Sequence, residues 1–298
     1  MIRTARDRWR GLLTSVPALR VLADAVRGYV FHQCGNYAGS VAFSTMIAMF
    51  PLLILLAATA GFVGQPGAAA ELAARVLEYA PPIVREAMQP VIDQVLSHRN
   101  RTLLTIGFVV TVWAASSGMQ SIRTALNRAY GVERGQPFWK ARLKVAAFTI
   151  VVGGGTVVAF GSVVLMPYIW RILGDMSAEG SWIRESVRYV AAFIVLILLY
   201  TITYAWLPDV KQRLRSVLAG AIVGAGLWVL AAALLSHVWR TAGKLELVYG
   251  GFAGLIATLA FLYVSAATLI FGAEINAALR AAPDRSGAAG VGAAVADA

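Results

Sequence analysis

The sequence predicts an all-α, polytopic membrane protein with six transmembrane helices, an amphipathic N-terminal interfacial helix and a short external helical cap. Three observations carry that prediction. Hydrophobic residues make up 59% of the chain and charged residues 14%, where a soluble domain carries about 25% charged residues. Six apolar runs reach the length of about 20 residues that a helix needs to cross the hydrocarbon. Lys and Arg are shared unequally between the alternate connections of those runs, as the positive-inside rule expects.

Residues 1–37 form a basic N-terminal segment. Within it PALRVLADAVRGYV has Leu19, Leu22, Val26, Tyr29 and Val30 on one helical face and Arg20, Asp24 and Arg27 on the other. That periodicity predicts a helix lying in the membrane interface. The six runs follow at about 38–63, 102–121, 142–167, 187–207, 216–237 and 249–279, so residues 38–280 form the transmembrane domain. The first run begins too late and is too long for a cleavable signal peptide. Pro51 interrupts it and predicts a kink near Phe50, because proline removes a backbone donor and crowds the preceding turn.

The connection 64–101 holds two short amphipathic stretches around Pro81-Pro82, too few residues for a domain of their own, and reads as a helical cap. Residues 281–298 are small and without apolar periodicity, which predicts a disordered tail. Gly220 with Gly224, Gly250 with Gly254, and Gly153-Gly154-Gly155 predict close helix approaches.

Connections 1–37, 122–144, 208–215 and 280–298 hold 17 of the 26 Lys and Arg residues. Both termini are therefore expected in the cytoplasm. The formal net charge of +11 is a trace of topology and gives no ground for a nucleic-acid partner. One cysteine, Cys34, excludes an internal disulfide. His32, His98 and His237 fall on separate connections or span ends, and no metal-ligand spacing, nucleophile set or phosphate-cradling loop occurs. No metal, cofactor or catalytic residue is expected.

What remains is a basic rim. Arg134, Lys140, Arg142 and Lys144, with Lys211, Arg213 and Arg215, are candidates for anionic lipid head groups. Glu274 is the one charged residue between Tyr249 and Leu279. About 37 Å along its helix, it is expected at the cytoplasmic edge of a core about 30 Å thick. There it is expected to pair with Arg123 or Arg128, with Asn127 near, as a clamp or a substrate contact; Asn276 and small neighbours admit another helix.

AFSTMIAMFPLLILLAA, SIRTALNRAYGV, YAWLPDVKQRLRSVLAGAIVGAGLW and YGGFAGLIATLAFLYVSAATLIFGAEINAAL together resemble the YihY/BrkB family of bacterial inner-membrane proteins over about residues 30–280. The resemblance implies an inner-membrane location and links to envelope integrity, serum resistance and lipid movement. It also carries an old ribonuclease label, which the missing metal cluster argues against. Scattered hydroxyls (Ser40, Ser44, Ser116, Ser117, Thr201, Thr203, Tyr204) and the Gln120 amide suggest a mildly polar groove for an amphipathic lipid. The competing expectation is a non-transporting scaffold, as a homo-oligomer or with an envelope-protein partner.

Overall fold

The computed structural model describes residues 17–63, 101–133, 135–172, 181–241 and 252–296. The basic stretch before Pro17, the expected cap, His98, Arg134 and Gly250 lie outside them. Among the described residues there are seven helices and no strand. They are α1 (Pro17–Phe31), α2 (Cys34–Val63), α3 (Arg101–Ala129), α4 (Phe138–Ile172), α5 (Ser181–Trp206), α6 (Leu214–Thr241) and α7 (Phe252–Ala296).

Each expected span coincides with one of the helices α2 to α7. Counted over the described residues, three of them are long and apolar enough to cross a membrane, through Tyr189–Trp206, Leu214–Val238 and Gly254–Ala281. Their outer faces carry large apolar side chains such as Ile194, Leu198, Leu230 and Leu234, all exposed. Water would not tolerate a surface of that kind, and lipid does. Pro51 lies inside α2, whose helix runs from Cys34 to Val63.

Two expectations are corrected. The backbone of residues 281–296 continues α7, where a disordered tail was expected. That stretch prolongs a helix already nucleated, with alanines favouring it and Pro283, Gly287, Gly290 and Gly292 opposing it. Tyr29 does not stay with the apolar face of α1. It turns inward onto Phe271, edge to face at 5.9 Å, while Leu19, Leu22, Val26 and Val30 remain exposed. A helix that packs inward through Ala25 and Tyr29 keeps its apolar stripe for the membrane interface.

α7 is the central element and packs against α1, α2, α3 and α6. Its contact with α6 is backbone against backbone. A Cβ on Gly272 would strike the Tyr204 hydroxyl and lie 2.6 Å from the Gly220 carbonyl oxygen. A Cβ on Gly224 would lie 3.1 Å from that hydroxyl. The expected approach at Gly220 and Gly224 is therefore present, and Tyr204 closes it by donating to the Leu269 carbonyl at 2.6 Å. Gly153, Gly154 and Gly155 behave differently: an added Cβ would meet nothing within 4 Å at any of them. They admit no close neighbour among the described residues, contrary to expectation, because α4 contacts α3 and α5 elsewhere along its length.

The buried core gathers at one end, from Cys34, Ala38, Leu126, Val145, Leu207, Val217 and Ile270. Successive helices alternate in direction, so the start of α2, the end of α3, the start of α4 and the end of α5 meet there. Overpacked cores lose about 1–3 kcal/mol, and Gly272→Val should reach at least that range because backbone opposes the new atoms. Gly153→Ala should hold or gain up to about 1 kcal/mol from helix propensity alone. Thermal unfolding in detergent compares the two, and equal losses would refute the assigned packing.

Candidate functional site

The buried end is organised by a residue that the sequence reading passed over, Asp209. Its side chain is 3% exposed, in the turn between α5 and α6. Arg123 of α3, 6% exposed, donates to it through Nη2 to Oδ2 and through Nε to Oδ1 at 3.3 Å. Asn127, one turn further along α3, donates to Oδ2 at 3.1 Å and accepts the Asp209 N–H at 2.8 Å. The Gln136 N–H reaches Oδ2 at 3.2 Å and Lys144 Nζ reaches Oδ1 at 3.4 Å. Lys144 also donates to the carbonyls of Leu207 at 3.1 Å and Pro208 at 2.9 Å.

Local structure explains why these groups meet. α3 ends at Ala129, with Gly131 left-handed at φ 68°. Val132 N–H returns to the Asn127 carbonyl at 2.8 Å and Gly131 N–H to that of Arg128 at 3.1 Å. This glycine-dependent stop turns the chain back, so Gln136 comes to lie over Arg123 and Asn127. Pro208 ends the turn after α5 and presents Asp209 to them. Burial pushes the Asp209 carboxyl up, but the bonds from Gln136, Arg123 and Asn127 and the Arg123 charge outweigh it and hold it below the ordinary 3.8.

Glu274 is buried, with 3% of its side chain exposed, but its expected partners are taken. Arg123 and Asn127 bind Asp209, and Arg128 lies over the Tyr37 ring at 5.3 Å. Instead Glu274 Oε1 accepts from His32 Nδ1 at 2.8 Å and Cys34 Sγ at 3.3 Å. Both come from the joint between α1 and α2, where Gln33 adopts a left-handed φ of 55°. Gly28 faces the carboxyl, and a Cβ there would collide with Oε2. The pairing expected from sequence is therefore replaced by a latch between α7 and the α1–α2 joint.

Asn276 is fully buried. Its Oδ1 accepts the Gly220 N–H at 2.7 Å and its Nδ2 donates to the Val217 carbonyl at 3.1 Å. It fastens α7 to α6. Further out, Arg280 reaches Gln212 and the Ser216 hydroxyl.

The hydroxyls expected to line a polar groove mostly serve the backbone. Ser116 and Ser117 donate to the Trp113 carbonyl at 2.9 and 3.0 Å, Thr201 to that of Ile197 and Thr203 to that of Leu199, both at 2.7 Å. Ser40 bonds Ser121 at 2.9 Å. What opens on the bundle surface is apolar. One groove of about 300 Å³ lies between α1, α6 and α7, walled by Tyr29, Leu227, Leu234, Ala267 and Phe271. Another of about 310 Å³ lies between α3 and α4, walled by Phe108, Val112, Trp113, Leu143 and Ala146, with Arg142 among its lining residues. Lys140, Lys211, Arg213 and Arg215 are exposed at the same end of the bundle.

A sequence model of the family described as Virulence factor BrkB matches residues 25–292. The chain belongs to the BrkB family. It is 27% identical over 265 residues to a putative ribonuclease-like protein, YfkH, of Bacillus subtilis, covering 87% of this chain and 94% of that one. It is also 29% identical over 252 residues to a UPF0761 membrane protein of Aromatoleum aromaticum, covering 83% of this chain and 60% of the other. For a UPF0761 membrane protein of Halorhodospira halophila the identity is 25%, with 96% and 63% covered. The chain thus spans nearly all of the Bacillus relative and about three fifths of the other two. No solved structure matches. Fold and relatives agree that this BrkB-family chain is a membrane protein.

The Asp209 knot predicts an acid limb of stability. A carboxyl held below its ordinary value contributes in full above about pH 3.8, and that contribution is lost as pH falls through the folded-state value. Asp209→Asn leaves Arg123 buried without a counter-charge, a loss of about 3–5 kcal/mol. The variant should melt earlier at neutral pH and respond less to acidification than the parent. Parallel melting curves against pH in detergent would contradict the assignment.

Proposed function

We propose that this BrkB-family membrane protein handles an amphipathic lipid of the cell envelope, moving it or presenting it at the basic end of the bundle. The observation that carries this reading is the pair of apolar grooves, each about 300 Å³, open on the outer surface of a bundle with a cation-rich end. Grooves of that lining suit acyl chains, and exposed Lys140, Lys211, Arg213 and Arg215 suit anionic head groups. The mildly polar slot inferred from scattered hydroxyls gives way to apolar slots with a basic mouth. No step of covalent chemistry is part of the reading. Among the described residues no group of three or more His, Cys, Asp or Glu side chains could hold a metal ion.

The test is reconstitution of the purified chain into liposomes carrying head-group-labelled lipids. Accelerated loss of label accessibility, relative to protein-free vesicles, is expected for at least one anionic lipid. Equal rates with and without protein for every envelope lipid would remove transport.

The exposed glycines 153–155 favour one further reading, a scaffold that receives a helix of another chain. A stable homo-oligomer or envelope complex that dissociates on Gly154→Leu, with no lipid movement in liposomes, would select it.

The basic end is proposed to face the cytoplasm of a bacterial inner membrane, from the 17 of 26 Lys and Arg residues placed on that side. An impermeant thiol reagent applied to intact cells should label a cysteine placed at Glu78 and spare one placed at Lys140. The reverse pattern would invert the topology.

A further inference from the structure

We propose that the α3–α4 groove holds one acyl chain of an anionic phospholipid, with the lipid phosphate on Arg142. This rests on the lipid reading above and gives it a site and a ligand class. Arg142 sits in the first turns of α4, with its guanidinium 4.2 Å from the centre of the Trp113 ring. Its Nη2 donates to the Trp113 carbonyl at 3.2 Å and to the Ser117 hydroxyl at 3.4 Å. Nothing among the described residues occupies Nε or Nη1, and no carboxylate pairs with Arg142 there. The contrast with its neighbours is sharp. Arg123 and Lys144 are both spent on Asp209. Arg142 therefore brings a positive charge and two further donors, Nε and Nη1, to the wall of an apolar groove.

The depth of the site follows from its aromatic neighbours. Phe138, Trp139 and Trp113 are 69%, 78% and 62% exposed. Trp139 stands exposed at the start of α4, and a tryptophan so placed marks the level of lipid head groups. Arg142 lies within one turn of it, and the groove runs from there toward the tails along Trp113, midway down α3. At about 310 Å³ it falls at the small end of ligand pockets, which span about 300–1,000 Å³, room for part of one chain and not for a whole two-chain lipid. Lys140, exposed two residues before Arg142, adds a second positive charge. It repels the choline of a zwitterionic head group and leaves a net-anionic one favoured.

Native mass spectrometry of the detergent-purified full chain, offered equal amounts of dioleoyl phosphatidylglycerol and dioleoyl phosphatidylcholine, tests this. Phosphatidylglycerol should be retained about tenfold in preference, because both lipids offer a phosphate to Arg142 and only phosphatidylcholine sets a choline against Lys140. Arg142→Gln should lower retention of both lipids, Lys140→Gln should abolish the preference, and Arg20→Gln on α1 should change neither. Ala146→Phe fills the groove with Arg142 intact and should lower retention of both lipids, which keeps the test open if Arg142→Gln does not fold. Excess inorganic phosphate should not displace the lipid, because the chain contact is missing. Undiminished retention of both lipids in Arg142→Gln, normal retention in Ala146→Phe, or displacement by phosphate alone would each overturn the site. Liposome transport failing while this selectivity holds would remove the transport function and leave the site standing. Transport persisting with lipid retention unaffected by Arg142→Gln would do the opposite.

Discussion

A buried carboxylate surrounded by donors from three other segments is the constraint on which the basic end depends. Asp209 has to be charged to satisfy Arg123, and Arg123 has to be there because a buried carboxylate without a cation is costly. Neither is tolerable alone, so the α5–α6 turn, the end of α3, the α3–α4 connection and the start of α4 are fixed together. Such a knot matters more in a membrane than in water. Lipid tails are as apolar as leucine, so helices gain little from hiding apolar surface against one another. Hydrogen bonds and close backbone contact must supply the specificity.

The same argument explains where Glu274 went. With Arg123 and Asn127 committed to Asp209, the end of α7 is left to find donors among whatever packs against it, and that is the α1–α2 joint. His32 and Cys34 converge on one oxygen of Glu274, and Gly28 clears the space for the other. The two acids divide the labour: Asp209 binds the connections of α3 to α6, and Glu274 binds α7 to the N-terminal helices. Asn276, two residues on, joins the halves through α6.

The helices were legible because their signal is long and repeated, a run of apolar residues bounded by charge. That Glu274 lies at the basic end was also legible, from rise per residue and the parity of spans. Its partner was not. Sequence position puts Arg123, Arg128 and His32 on one side of a membrane but says nothing about which helix neighbours which, and α7 lies against α1 and α2 as well as α3. Asp209 was missed because the segment PDVKQRLR was read for its cations. The available signal was that it is the lone acid of that segment, next to the proline. The hydroxyls misled for a different reason. In apolar surroundings a serine or threonine returns its proton to a carbonyl of its own helix, so polarity in the sequence of a span does not mean a polar surface. The triple glycine misled in the same manner, since glycine permits a close approach without requiring one.

These features make the bundle unequal along its length. At the basic end, each helix from α3 to α7 is tied by a buried polar contact or by backbone meeting backbone. Further along α4, at Gly153 to Gly155, neither device is found and the surface is open. A helix anchored at one end and glycine-rich beyond it can bend without breaking its anchor, because glycine lowers the cost of departing from helical geometry. The α3–α4 groove begins at the anchored end, beneath Arg142, and its walls extend toward the unanchored one. Head-group position would then be set by the rigid part of the bundle, and room for the chain by the compliant part.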